Sequence, residues 1–125
     1  NTILYIITEN FMEKYTAKNI DWVKTGKNLE YLRRHNINLI KKVCAYCRSK
    51  EDSKNYCVGG ERCKTCTFEM DNHISRNELA SAVAGWSDSQ VANWEDARSI
   101  ISIEDLYVYC DLCELTLEDV IVCAD

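Results

Sequence analysis

The chain has 125 residues, 46% of them hydrophobic and 28% charged, with a formal net charge of −5. That is room for one compact core and a small appendage, not for two full domains, and no low-complexity tract or internal repeat interrupts it. The net charge hides a division: residues 1–66 carry 13 Lys and Arg against 7 Asp and Glu, a net of +6, whereas residues 67–125 carry 2 against 13, a net of −11.

Proline is absent and glycine occurs four times, so turns must depend on polar caps, which suits a mostly helical, all-α protein. The opening apolar run ILYII, Ile3 to Ile7, is too short to span a bilayer and has no basic residue ahead of it, unlike a signal peptide. The expectation is a cytoplasmic chain that does not enter a membrane. Residues 1–25 form an N-terminal extension in which ILYII is a short strand or the start of a helix. Phe11, Tyr15, Ile20 and Trp22 then trace a rough helical stripe, fit to cover the core or to build a dimer contact.

Further along, INLIKKV continues into CAYCRSKEDSKNYCVGGERCKTC, where Cys44, Cys47, Cys57, Cys63 and Cys66 supply five of the eight cysteines. In a reducing compartment so many thiols read as metal ligands and buried apolar residues, with disulfides the lesser alternative. Two C-x-x-C pairs, Cys44 with Cys47 and Cys63 with Cys66, match the spacing of a tetrathiolate zinc site, because each pair can aim both sulfurs at one tetrahedral ion. Thiolate softness selects Zn²⁺ over magnesium or calcium, and iron in the same ligand set is the alternative. Five thiols compete for four places: Cys63 and Cys66 rank first and Cys44 next, with Cys47 and Cys57 contesting the last. Gly59 and Gly60 would let the backbone wrap the ion. Cys44 and Cys47 are expected on the tail of an extended first helix. His73 is a distant substitute ligand, more simply a solvated residue before a helix cap, and His35 has no partner in the pattern. Four thiolates leave no open coordination position, and no Ser, His or carboxylate arrangement reads as an acid, base or nucleophile, so the expected zinc is structural and the chain is not an enzyme. It would close a polar insertion, residues 44–66, that has little reason to order itself alone.

From Ile74 onward one local signal repeats four times. Ser75 with Glu78, Ser87 with Gln90, Ser102 with Glu104 and Asp105, and Thr116 with Asp119 each pair a hydroxyl N-cap with an acidic or amide side chain that can bond back to it. The pairs Ile74 and Leu79, Trp86 and Val91, Ile101 and Leu106, and Leu115 and Val120 flank these caps as hydrophobic staples. Helices of about two to three turns follow, too short to persist alone. Leu79, Ala82, Val83, Val91, Trp94, Leu106, Tyr109, Cys110, Cys113, Leu117, Val120 and Ile121 should therefore pack into one core. Cys110, Cys113 and Cys123 are expected to be small core residues.

The segment ISRNELASAVAGWSDSQVANWEDARSIISIEDLYVYCDLCELTLEDVI resembles helices two to five of the lambda-repressor-like (XRE) helix-turn-helix domain. GKNLEYLRRHN, Gly26 to Asn36, resembles its first helix. The specific elements are Glu78 to Ala80, Val91-x-x-Trp94-Glu95, and Ser102-x-x-Asp105-Leu106. Three departures stand out: Ala84 and Gly85 replace a single glycine in the turn, Glu114 takes the place of a helix-ending glycine, and the cysteine segment separates the first two helices. The resemblance implies a domain over residues 26–125 that regulates transcription by binding double-stranded DNA, with homodimerisation a family expectation. Its third helix would enter the major groove with Asp88, Ser89, Gln90 and Asn93 at the reading positions, while Arg76 and Arg98 grip phosphates. Glu95 would be a partner inside the domain.

Charge argues against an unaided version of that picture, since the reading helix has no Lys or Arg. Cations would have to come from Lys24, Lys27, Arg33, Arg34, Lys41, Lys42, Arg62 and Lys64. The alternative is an interaction module that keeps the fold and offers its acidic face to a protein partner.

Overall fold

The computed structural model describes residues 19–48 and 73–124, with side chains through Tyr46 in the first stretch. The described residues form helices α1 (Trp22–His35), α2 (Ile37–Arg48), α3 (Arg76–Ser81), α4 (Asp88–Glu95), α5 (Ile103–Cys113) and α6 (Leu117–Val120). They contain no strand, only a single antiparallel bridge between Ile20 and Cys123. The all-α expectation holds for them, and none of these helices is long and apolar enough to cross a membrane. The run Ile3 to Ile7, Phe11 and Tyr15 lie outside the described residues.

The N-caps form as local chemistry requires. Ser75 Oγ accepts from Glu78 N at 3.1 Å while Glu78 Oε1 accepts from Ser75 N at 2.9 Å. Ser87 and Gln90 repeat the box at 3.2 Å in both directions, and Ser102 accepts from Asp105 N. At Thr116 the hydroxyl and backbone N–H both donate to Asp119, which holds that carboxyl below the usual carboxylate range. Each cap satisfies N–H groups that a helix start would otherwise leave orphaned.

Two boundaries differ from the sequence expectation. Residues 19–25 belong to the folded body, since α1 starts at Trp22 with Asp21 as N-cap; Thr25 is fully buried, and its hydroxyl accepts from Val122 N at 2.9 Å. The extended first helix is in fact two helices. Asn36 adopts an extended conformation at φ −74, ψ 115, and its side chain accepts from Leu39 N at 2.9 Å, restarting the chain as α2. An asparagine that can cap the next segment gives the backbone an alternative to continuing the helix.

The kink lets α1 and α2 pack on different partners. α1 lies against α4, α3 also packs on α4, α2 lies against α5, and α6 closes on α1 and α5. α1 approaches α4 so closely that a Cβ added at Gly26 would sit 2.6 Å from the carbonyl oxygens of both Trp94 and Glu95. The core joins Leu29 and Leu32 of α1, Leu39, Ile40, Val43 and Cys44 of α2, and Leu79, Val91, Trp94, Leu106, Tyr109, Cys110, Cys113 and Val120 from the back half. Of the expected core, Ala82, Val83, Leu117 and Ile121 are half-buried and pack against this cluster. Cys123 is exposed, because the bridge to Ile20 runs along the surface.

Helix C-termini are satisfied from across the core. Lys42 Nζ donates to the carbonyls of Asp111 and Leu112 and to Glu114 Oε2 at 3.0, 3.2 and 3.0 Å, and Asn36 Nδ2 donates to Cys113 O at 3.3 Å. Asn28 Nδ2 does the same for Asp119 and Val120 at the end of α6. Glu114 ends α5 in the left-handed region at φ 56, where helices commonly place glycine.

Candidate nucleic-acid interface

α4 is held as a rigid element before any ligand enters. Glu95, at its last turn, is 4% exposed and accepts from Arg33 Nε at 2.7 Å and Nη2 at 2.9 Å, a fork that matches both carboxylate oxygens. Arg33 Nη1 continues to Ile74 O at 2.6 Å, tying the residue before the α3 cap to the same point. Arg76 Nε adds a third contact to Glu95 Oε1 at 2.9 Å. Two guanidinium groups thus balance one buried carboxylate, and the hydrogen bond to Glu95 raises the Arg76 pKa above its ordinary value.

The six residues assigned to DNA contact fall into two groups. Asp88 and Ser89 are exposed on the first turn of α4. Gln90 is half-buried and its Oε1 caps Ser87 N, while Asn93 is half-buried and its Oδ1 accepts from Arg98 Nε at 3.0 Å. Arg76 reaches Asp96 at 3.4 Å besides Glu95, and Arg98 reaches Asp96 at 3.2 Å. Asp96, which sequence reasoning did not single out, therefore links both arginines. Its signal in the sequence was only proximity, the Trp94-Glu95-Asp96 run just ahead of Arg98.

Two of the eight cations proposed to help are assigned elsewhere. Arg33 is 3% exposed and committed to Glu95, and Lys42 caps α5. Lys24, Lys27 and Lys41 are exposed, Arg34 pairs with Glu30 at 3.2 Å on the surface, and Arg62 and Lys64 lie outside the described residues. Arg34 and its partner Glu30 line, with Arg76, His73 and Asn77, an open depression of about 460 Å³ that reaches Asp88 at the start of α4. His73 is half-buried there instead of fully solvated. His35 lies against the Tyr31 ring, with centroids 4.7 Å apart.

Behind α4 an aromatic group fixes its angle. Trp86 and Trp94 meet edge to face at 4.9 Å, Trp86 stacks on Tyr109 at 5.8 Å, and Trp86 Nε1 donates to Asp105 at 2.8 Å. Tyr109, fully buried, donates to Leu29 O at 2.8 Å, and burial pushes its phenol well above the ordinary value.

Of the five clustered cysteines, Cys44 is 1% exposed on the inward stripe of α2 with Leu39, Ile40 and Val43. The Cys47 side chain and all of Cys57, Gly59, Gly60, Cys63 and Cys66 lie outside the described residues. Among the described residues no three His, Cys, Asp or Glu side chains converge as a metal site. Cys110 and Cys113 are buried, and burial pushes the Cys113 thiol up to about 12, the behaviour of an apolar core residue and not of a reactive thiolate.

The chain matches no family model, and neither the curated proteins nor the solved structures include a significant match to it.

Proposed function

We propose that the protein binds double-stranded DNA as a lambda-repressor-like helix-turn-helix regulator, with α4 in the major groove and α3 across the backbone. The observation that carries this reading is that Asp88 and Ser89 stand exposed on the first turn of a firmly held α4, with Arg34 and Arg76 lining the depression that reaches Asp88. An acidic chain needs cations next to an uncharged or acidic reading helix before phosphates will approach it. Asp88 and Ser89, exposed on the first turn, supply an acceptor for cytosine N4 and a hydroxyl that can bond to several base edges. Arg33, Glu95 and Gly26 fix α4 against α1, so the helix docks without reorganising.

A structural zinc ion, held by four of Cys44, Cys47, Cys57, Cys63 and Cys66, belongs to the same proposal. α2 and α3, the helices on either side of the cysteine segment, touch. Closing such a segment with metal contributes binding energy only in the folded state.

The test is metal analysis of the purified protein, followed by fluorescence anisotropy on random-sequence duplex DNA over a series of salt concentrations. Affinity should fall steeply with salt, and Arg34→Ala should lessen the slope by about 1. Ser89→Ala should relax base discrimination, and Asn93→Ala should weaken binding at the base edge.

A second reading, an interaction module with an acidic face, is favoured by one observation: Arg76 and Arg98 are both engaged by carboxylates of this chain. No retention of DNA even at low salt would decide for it.

A further inference from the structure

Five large apolar side chains are exposed among the described residues: Val23 at 57%, Tyr31 at 59%, Ile100 at 63%, Ile103 at 51% and Tyr107 at 56%. They fall into two strips. On α1, Val23, Lys27 and Tyr31 recur at four-residue intervals, which puts them on one face, flanked by exposed Lys24 and Arg34. On α5, Ile103, Tyr107 and Asp111 repeat the same interval, flanked by exposed Glu104 and Glu114, with Ile100 just ahead of the helix. One strip is apolar with a basic border and the other apolar with an acidic border. Glu30 is the exception on α1 and pairs with Arg34, and Glu114 is the partner of Lys42 on α5.

We infer that the protein assembles head to tail, the basic α1 strip of one copy docking on the acidic α5 strip of a second copy.

The two strips cannot cover each other within one molecule. Tyr109 of α5 reaches the Leu29 carbonyl of α1 through the interior, while the large apolar residues of both strips stay more than half exposed in the same molecule. Nor does either strip suit two-fold pairing with itself. α1 on α1 would bring one basic border against another, and α5 on α5 one acidic border against another, a like-charge contact that opposes association. Pairing α1 with α5 removes both costs and buries tyrosine on each side, the residue type that anchors interfaces. Such a contact is heterologous: it leaves one unused strip at each end of the pair, so assembly continues to a ring or an open chain. The α4 residues assigned to DNA lie in neither strip, and Arg34 is the one residue that borders both the α1 strip and the surface of the proposed function.

Sedimentation velocity on the full-length protein tests it. Mass should rise with concentration and fall with added salt. Tyr31→Glu blocks the α1 strip and Tyr107→Lys blocks the α5 strip. Both positions are exposed, and circular dichroism verifies that the variants fold. Each variant alone should remain monomeric. Mixed in equal amounts they retain one intact strip of each kind between them, so the weight-average mass should at least double. A wild-type protein that is monomeric at every concentration overturns the inference, and so does a mixture of folded variants that fails to pair.

Discussion

Arg33 and Glu95 stand 62 residues apart in sequence and meet in the interior through two charge-assisted hydrogen bonds of 2.7 and 2.9 Å. Removing one member of a buried pair leaves the other without its counter-charge, which costs more than the pair itself contributes. Arg33→Met should therefore destabilise by about 3 kcal/mol, the low end for such a break because Arg76 still holds Glu95. Arg33→Lys should not restore it, since a single ammonium cannot span both oxygens and the Ile74 carbonyl. Arg33→Met combined with Glu95→Leu should recover part of the loss. Urea denaturation of the four proteins measures all three statements.

Gly26 makes a second prediction about the same seam. A methyl group there would press on the backbone oxygens of Trp94 and Glu95, which cannot yield as a flexible side chain would. Gly26→Ala should cost about 1–3 kcal/mol by forcing α1 off α4. If α4 reads DNA as proposed, affinity should drop in the variant even at temperatures where it is fully folded, as read by anisotropy alongside thermal melts.

Strain of the opposite kind sits at the helix ends. Ala97 follows α4 at φ 59 and Glu114 ends α5 at φ 56, a region that costs a side-chain-bearing residue about 1–2 kcal/mol and glycine almost nothing. Ala97→Gly loses little packing and should raise stability by about 0.5–1 kcal/mol after the added freedom of the unfolded chain is allowed for. Glu114→Gly should gain less, since it also gives up the exposed contact with Lys42. Differential scanning calorimetry resolves both.

The thiols predict a pH response. Burial pushes Cys113 from an ordinary 9.0 up to about 12, so the folded state holds this proton more tightly than the unfolded state. The stability linked to it is complete below about pH 9 and is lost as pH climbs toward 12, because the unfolded chain ionises first. Tyr109 acts in the same direction at higher pH. The melting temperature should decline above pH 9, and Cys113→Ala should flatten that decline while lowering the starting value. In the native protein, iodoacetamide should label exposed Cys123 quickly and buried Cys110 and Cys113 slowly, which peptide mass spectrometry can follow.

The parts of this fold legible in the sequence are those fixed by neighbours in the chain. Ser75 with Glu78 and Ser87 with Gln90 form boxes from residues three apart, so a short string suffices to place them. The break at Asn36 had a signal as well, an N-cap residue type ahead of an apolar run, but the continuous pattern of INLIKKV masked it. Arg33 had none. A basic residue between Leu32 and Arg34 reads as surface until Glu95 arrives from the far side of the fold, and no local rule contains that meeting. Asp96 escaped notice for the same reason, since its importance lies in reaching Arg76 and Arg98 together. Cys123 was expected inside because its type favours burial, whereas its placement follows from the edge bridge with Ile20.

That bridge ties the two ends of the described body together: Ala124 N donates to Asn19 O and Asp21 N to Val122 O, both at 2.8 Å. The order in which the helices are threaded is thus nearly circular. A rearranged gene that joins position 124 to position 19 through a short linker, and starts the polypeptide at His73, should yield the same arrangement of α1 to α6. In such a permutant, residues 49–72 follow α2 without being joined to α3, and the body's independence of that connection can be measured directly.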